Sequence, residues 1–335
     1  MKMQIKANNP PWAGKFASLK NIATASKNTT APVGEAGKDD ARKALANALV
    51  WYYTDDTAYA DKAINILNVW AKSPTVSFGS DPNGQNLLVA GWIGSLMGPA
   101  AEIMRGYMGW MPDDMAATQA MFKKSFYPSL NKASTWNGNV DLTQIDAMLA
   151  IAVFNEDKAL FDAAITRFET RLPAYIYLTT DGGTPTTLPG AGWFSPTKLM
   201  DGLTQETCRT GGNYNNKGTD GGHHAQYALA AAVNAAEVAW NQGVDLYGDH
   251  QNRLVSALEL LSLQLTSGTL QGACTVDVAA SNDIYNTFEM GYNHYHNRKM
   301  QDLTNTKTML ETKVRVSSKS DWNIFFETLT HQKGL

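Results

Sequence analysis

From Asp39 onward, apolar residues return every three to four positions, the period of an amphipathic α-helix. In DDARKALANALVWYYT the residues Ala44, Leu45, Ala48, Leu49 and Tyr52 recur on one side, after an acidic first turn. In DTAYADKAINILNVWAKS the side is Ala60, Ile64, Leu67 and Trp70. Thr54, Asp55 and Asp56 make the connecting turn, and Pro74 ends the pair. The same cadence then repeats. A long apolar helix is expected over Leu87–Tyr107, kinked at Gly98-Pro99, and another follows Pro112. Val140–Asn155 pairs with Asp157–Leu172 through a turn at Glu156, and Gly221–Gln242 pairs with Gln251–Ser267. Residues 1–38 are expected to be irregular, and only short stretches such as Ala174–Thr179 read as strand. Consecutive helices with short links are antiparallel neighbours, and a run of such hairpins builds a solenoid or, if it closes, an α/α toroid. No fixed-period repeat is visible, and no linker divides the chain, so one domain over 1–335 is expected.

Two segments interrupt the cadence. Thr179–Thr204 is rich in Gly, Thr and Pro, and Thr210–Gly222 has almost no apolar side chains. Long Gly-rich loops within a helical domain are usually functional or disordered. Both precede the helix that opens with His223-His224.

Composition narrows the class. The chain has 335 residues, 44% hydrophobic and 18% charged, with net charge -3. That is a folded globular protein without the basic excess that nucleic acid requires. An anionic substrate needs only local positive charge. Nine Trp and thirteen Tyr suit carbohydrate rings, although most such residues fill cores. Cys208 and Cys274 make no four-thiolate site, and they form one disulfide or stay as thiols. No metal-binding spacing of the HExxH type occurs, so neither metal nor other cofactor is expected. No uninterrupted apolar run of membrane-spanning length is apparent, so no membrane partner is expected. The start, MKMQIKANNPPW, has no signal-peptide apolar run, which suits a cytoplasmic protein or an exported one in mature form.

The densest chemistry lies in FEMGYNHYHNR, Phe288–Arg298. As a helix it would put Tyr292, Tyr295 and His296 on one face, with Asn293 and Asn297 beside them and His294 and Arg298 close by. A solvated face would use Lys and Glu and a core face Leu and Ile, so a polar cleft floor is the expectation. The bland alternative is a buried network of satisfied Tyr and His side chains. WNGN puts Asn137 and Asn139 at a helix start, where amides and the helix dipole favour an anion, or where Asn139 or Asp141 simply caps. GGHHAQY puts His223, His224 and Tyr227 at another helix start. Arg209, in QETCR, can clamp a carboxylate or pair with Glu206.

PPWAGKFASLKN, DKAINILNVWAKS, NGQNLLVAGWIGSLMGPAAEIMR, WNGNVDLTQIDAMLAIAVFNED, QETCR, HAQYALAAAVNAAEVAWNQGVDLY and YNHYHNR, in that order, resemble alginate-lyase-type polysaccharide lyases. The nearest subgroup is polysaccharide lyase family 38, the glucuronan and mannuronan lyases. In that family a histidine tends to follow QETCR closely. Here TGGNYNNKGTDGG intervenes, and counting back from Gln226-Tyr227 makes His224 the match and His223 extra.

The resemblance implies an all-α fold, an α/α toroid (incomplete barrel) of antiparallel hairpins. It implies a periplasmic or secreted enzyme that cleaves a uronate polymer by β-elimination without a cofactor. Asn137 or Asn139, His224, and Arg298 or Arg209 are then the expected neutralisers, with Asn139, His224 and Arg298 placed in the catalytic set; Tyr292 or Tyr295 is the expected acid, and the base is that tyrosine or His224. Asn137, His223, Tyr227, Arg209, Trp193, His294, His296 and Gln85 are expected to bind substrate, whereas Trp92 reads as core. Two rivals remain. A glycoside hydrolase would need opposed carboxylates, drawn from Asp141, Asp146, Glu206 and Glu289. A non-catalytic carbohydrate-binding helical protein would scatter the candidate residues. The oligomeric state is not legible.

Overall fold

The structure, a computed structural model, describes residues 1–25, 34–79, 84–135, 137–189, 193, 196, 198–208, 222–268, 284–318 and 326–333. Its helices are α1 (Lys2–Lys6), α2 (Trp12–Thr24), α3 (Gly37–Thr54), α4 (Thr57–Lys72), α5 (Gln85–Met104), α6 (Pro112–Met121) and α7 (Tyr127–Leu130). They continue with α8 (Gly138–Asn155), α9 (Lys158–Arg171), α10 (His223–Asn241), α11 (Leu246–Asp249) and α12 (Gln251–Ser267). The last are α13 (Glu289–Tyr292), α14 (Thr304–Met309), α15 (Arg315–Ser317) and α16 (Glu327–His331). The expected all-α class holds, since the described residues form no strand and hold only isolated bridges, such as the antiparallel one from Ile176 to Thr204. That bridge is what becomes of the strand expected at Ala174–Thr179. The first 38 residues are not irregular as expected, because α1 and α2 lie there. Only Trp12, Leu19 and Ala23 of α2 are buried, too sparse a stripe to announce a helix.

The chain forms two compact units, Met1–Ser134 with Thr143–Ile165, and Thr135–Leu142 with Thr166–Leu335. In the first, α3 packs against α2, α4 and α5. The α3–α4 turn forms as its residues dictate: Asp55 takes a left-handed φ of 61°, and the Asp56 carboxylate caps α4 by accepting from Ala58 N–H at 3.0 Å. Helix α5 runs unbroken through Pro99. It is long and apolar enough to cross a membrane by composition alone, but 83% of that window is buried inside the protein, as in a core helix. Its Gly91, Gly94 and Gly98 form a stripe on which an added Cβ would come within 2.9 Å of Thr143, Ala147 and Ala150. Helix α8 therefore approaches closer than larger residues would allow.

In the second unit α10 is central, packing on α12 and α13, while α12 packs on α14 and α13 on α16. Ala225, Ala228, Ala230, Ala231, Ala232, Ala235, Ala236 and Ala239 are all buried. The side chains of α10 that carry chemistry are thereby concentrated at its two ends.

Candidate active site

The first N–H groups of α8 are held by side chains. Asn137 caps it, its Oδ1 accepting from Val140 N–H at 3.2 Å. The Gly138 N–H donates to Gln205 Oε1 and the Asn139 N–H to Glu206 Oε1, each at 2.8 Å. The helix-start donors that a bound anion would use are thus taken internally, by Asn137, Gln205 and Glu206. The side chains of Asn137 and Asn139 are what remain for a ligand; both are buried, and Asn137 Nδ2 and Asn139 Oδ1 have no hydrogen-bond partner among the described residues. Below them the fully buried Asp141 accepts from the Tyr175 hydroxyl at 2.6 Å and pairs with Arg167 and Arg171. Burial, then the Asp141 charge, push the Tyr175 phenol far above its ordinary range, so it stays protonated. Gly138 rests on the Tyr175 ring, where a Cβ would sit 2.9 Å away.

Gln205 and Glu206 belong to a 3-10 turn over Gln205–Cys208. It is placed by Tyr177 N–H donating to Leu203 O and Gln205 N–H donating to Tyr175 O. The same turn packs against α10, so the α8 start and α10 share one support.

Helix α10 begins after Gly222, whose φ of +83° suits glycine. His223 and His224 follow, half-buried. The Tyr285 Oη and His223 Nδ1 are 2.8 Å apart. Tyr227 packs edge-on to His223 at 4.4 Å and lies 5.1 Å from the Tyr285 ring. His224 contacts both His223 and Tyr227. Tyr285 is 2% exposed, and its N–H donates to Gln226 Oε1 at 3.0 Å. A phenol bonded to an imidazole at a helix end can move a proton between them.

A family model described as alginate lyase matches residues 20–268. The chain belongs to the alginate lyase family. Membership makes it a polysaccharide lyase. Alginate lyase A1-III from Sphingomonas species A1 shares its fold, with a TM-score of 0.67 at 14% identity over 96% of this chain and 94% of that one. Two variants of that enzyme complexed with tetrasaccharide also match. The histidine-to-alanine variant gives 0.66 at 15% identity, covering 93% and 86% of the two chains. The tyrosine-to-phenylalanine variant gives 0.65 at 14%, covering 96% and 94%. No curated protein matches by sequence.

In this alginate lyase relative the Phe288–Arg298 cluster does not join the histidine pair. It is not one α-helix: after α13, a π-helix spans Asn293–Arg298, and its wider turn breaks the 3.6-residue register assumed from sequence. Tyr292 stacks on His296 at 4.6 Å, but Tyr295 turns to the core and donates to Tyr247 O at 2.9 Å. Arg298 is a bidentate partner of Glu237, at 2.7 and 3.0 Å. Glu237 lies fourteen residues after His223 on α10, about 21 Å along the axis. The expected convergence of His224 with Tyr295 and Arg298 therefore gives way to His223 with Tyr285. His294 is fully buried, stacked on Tyr247 at 3.9 Å. Burial, then the Arg298 charge, lower its pKa to about 4, so it is neutral and structural. His296 Nδ1 bonds Gln301 O.

The other expected binders scatter. Trp193 donates to Ala174 O at 2.9 Å and packs with Tyr177, Leu203 and Leu260. Gln85, in the first unit, donates to Glu35. Arg209 and Cys274 lie outside the described residues, so neither the carboxylate clamp nor the cysteine pairing is seen. Three of the four carboxylates that a hydrolase would draw on are engaged, Asp141 by two arginines, Glu206 at α8, and Glu289 by Arg315 at 2.7 Å, and the fourth, Asp146, is buried. No described residues form a metal-ligating cluster of His, Cys, Asp and Glu. Tyr285 is absent from the sequence reading because IYNTF carries no local signal; its partner is 62 residues away.

Proposed function

We propose that the protein cleaves a polyuronide, alginate or a relative such as glucuronan, by β-elimination, with Tyr285 and His223 as the proton-transfer pair. The observation that carries this reading is the 2.8 Å contact between Tyr285 Oη and His223 Nδ1, set beside family membership. The C5 hydrogen of a uronate is weakly acidic, and its removal places charge on the adjacent carboxylate. Donors aimed at that charge lower the barrier; the side-chain amides of Asn137 and Asn139, together with His224, are the candidates.

His223 accepts the Tyr285 proton at Nδ1, and the phenolate takes the C5 hydrogen. The C5–H electrons form the C4–C5 double bond as the C4–O4 bond breaks. The same phenol then returns its proton to O4, and the imidazolium restores the hydroxyl. One phenol serves both steps only where the C5 hydrogen and O4 lie on the same face of the sugar. The protein accordingly acts where intact polymer is present, outside the cytoplasm.

Incubation with alginate block types and with glucuronan tests the reading. Ultraviolet absorbance from a new conjugated double bond is expected with one or more of them. Product chains without unsaturation would sink it, and hydrolysis would give such chains.

A further inference from the structure

A side chain that holds Tyr285 stands outside the proton-transfer pair. Gln226 follows His223 by three residues on α10, hence on the same helix face. It is fully buried, and its Oε1 accepts from the Tyr285 N–H at 3.0 Å across 59 residues of sequence. The same Tyr285 meets His223 through its hydroxyl at 2.8 Å. One tyrosine is therefore fixed at both ends by one helical turn, its backbone by Gln226 and its phenol by His223. Three residues rise about 4.5 Å along a helix, so the Tyr285 ring runs alongside α10 toward the helix start, with Tyr227 as its wall. Beyond Tyr285 the chain turns, Thr287 N–H donating to Tyr285 O at 2.9 Å, and enters α13.

The residue type fits this task narrowly. An apolar side chain at 226 would leave a buried N–H without its acceptor, and Asn is one methylene too short. A carboxylate would keep the acceptor.

We propose that Gln226 is a positioning residue for the lyase reaction: by tying the Tyr285 backbone to α10 it sets the Tyr285–His223 separation, without touching substrate. This rests on the reading of that pair as the proton-transfer device. The test compares Gln226→Met, which keeps the shape and removes the acceptor, with Gln226→Glu, which keeps the acceptor, both in the full chain. Three quantities are measured: kcat and KM on whichever polyuronide the unaltered protein cleaves, the melting curve, and amide hydrogen exchange at Tyr285. For Gln226→Met, kcat should fall roughly ten- to a hundredfold, about the effect of a small misplacement of a reacting group. KM should stay within about twofold, Tyr285 exchange should accelerate, and Gln226→Glu should recover most of kcat. A Met variant with unaltered kcat overturns the proposal. So does a Glu variant as impaired as the Met one, or a kcat loss matched by an equal loss of folded protein. Should the unaltered protein give no unsaturated product, the functional reading fails by itself and exchange alone decides. Protection lost with Met and restored with Glu upholds the tether, and protection unchanged with Met overturns it.

Discussion

The two ends of α10 carry nearly the same residue types in opposite circumstances. At its start, the half-buried His223 and His224 meet the buried Tyr227 and Tyr285, and a titratable hydroxyl lies against a titratable ring nitrogen. At its far end, Tyr247, His294, Tyr295 and Glu237 are buried, with the partly exposed Arg298 beside them; the hydroxyls are spent on main-chain carbonyls and Glu237 is paired with Arg298. Tyr247 donates to Val233 O at 3.0 Å, Tyr295 donates to Tyr247 O, and Arg298 is clamped on Glu237. On the proposed function, what separates the reactive cluster from the structural one is the partner each polar atom has, not the residues present. A phenol bonded to a carbonyl has nowhere to send its proton; one bonded to an imidazole does.

The sharpest break between the two ends is a pair of Tyr→Phe variants. Tyr285→Phe should lower kcat by roughly 10²–10⁴-fold, the range of a lost general acid–base group, with little change in melting temperature. If Tyr285→Phe kept full turnover, the assignment of chemistry to the start of α10 would collapse.

The next contrast uses charge. Arg298→Met leaves Glu237, only 6% exposed, with His331 as its neighbour at 3.4 Å. Breaking a buried pair from one side costs about 3–5 kcal/mol. Arg298 is 30% exposed, so about 2 kcal/mol is expected in denaturant unfolding. Turnover per folded molecule should be unchanged; a specific loss of kcat would return Arg298 to the catalytic machinery.

Much of the helical framework could be read from the chain, and its legibility followed the range of the forces involved. The α3–α4 turn rests on Asp55 and Asp56 acting on their own neighbours, and α12 follows from an unbroken apolar stripe. The π-helix at Asn293–Arg298 could not be foreseen, because tertiary packing of Tyr295 against Tyr247 decides its register. The Tyr285–His223 contact was equally hidden, since its specification lies in Gln226 and in chain closure across some sixty residues. Asn137 and Asn139 were visible as a helix start; that Gln205 and Glu206 would occupy its N–H groups was not.

Acid should strip the far end of α10 first, in two overlapping stages. Buried His294 has its pKa lowered from 6.5 to about 4. Unfolded chains therefore bind its proton more readily, and stability is lost as pH falls from about 6.5 to 4. For Glu237, burial works against the charged form, but hydrogen bonds from His331 and Arg298 win and bring its pKa from 4.5 to about 2. Its contribution is present above pH 4.5 and is lost as pH falls toward 2. Thermal melts across this range should show His294→Phe flattening the first stage alone. An unchanged profile would mean that the imidazole is not the buried neutral group described here.

The smallest effect is the most diagnostic. Tyr295→Phe removes a hydroxyl that donates only to Tyr247 O, and the ring stays in a pocket 1% exposed. Tyr247 O loses its donor in a dry site, so about 1 kcal/mol of stability should go. The phenol is driven far above its ordinary range by burial, then by Asp245, so no accessible pH makes it a base. Its kcat should therefore match that of the unaltered protein within about twofold, even as the melting temperature falls by a few degrees. A large fall in kcat with an unmoved melt would reverse the ends of α10: chemistry would belong to the buried tyrosine, and the 2.8 Å pair at the helix start would be the structural one.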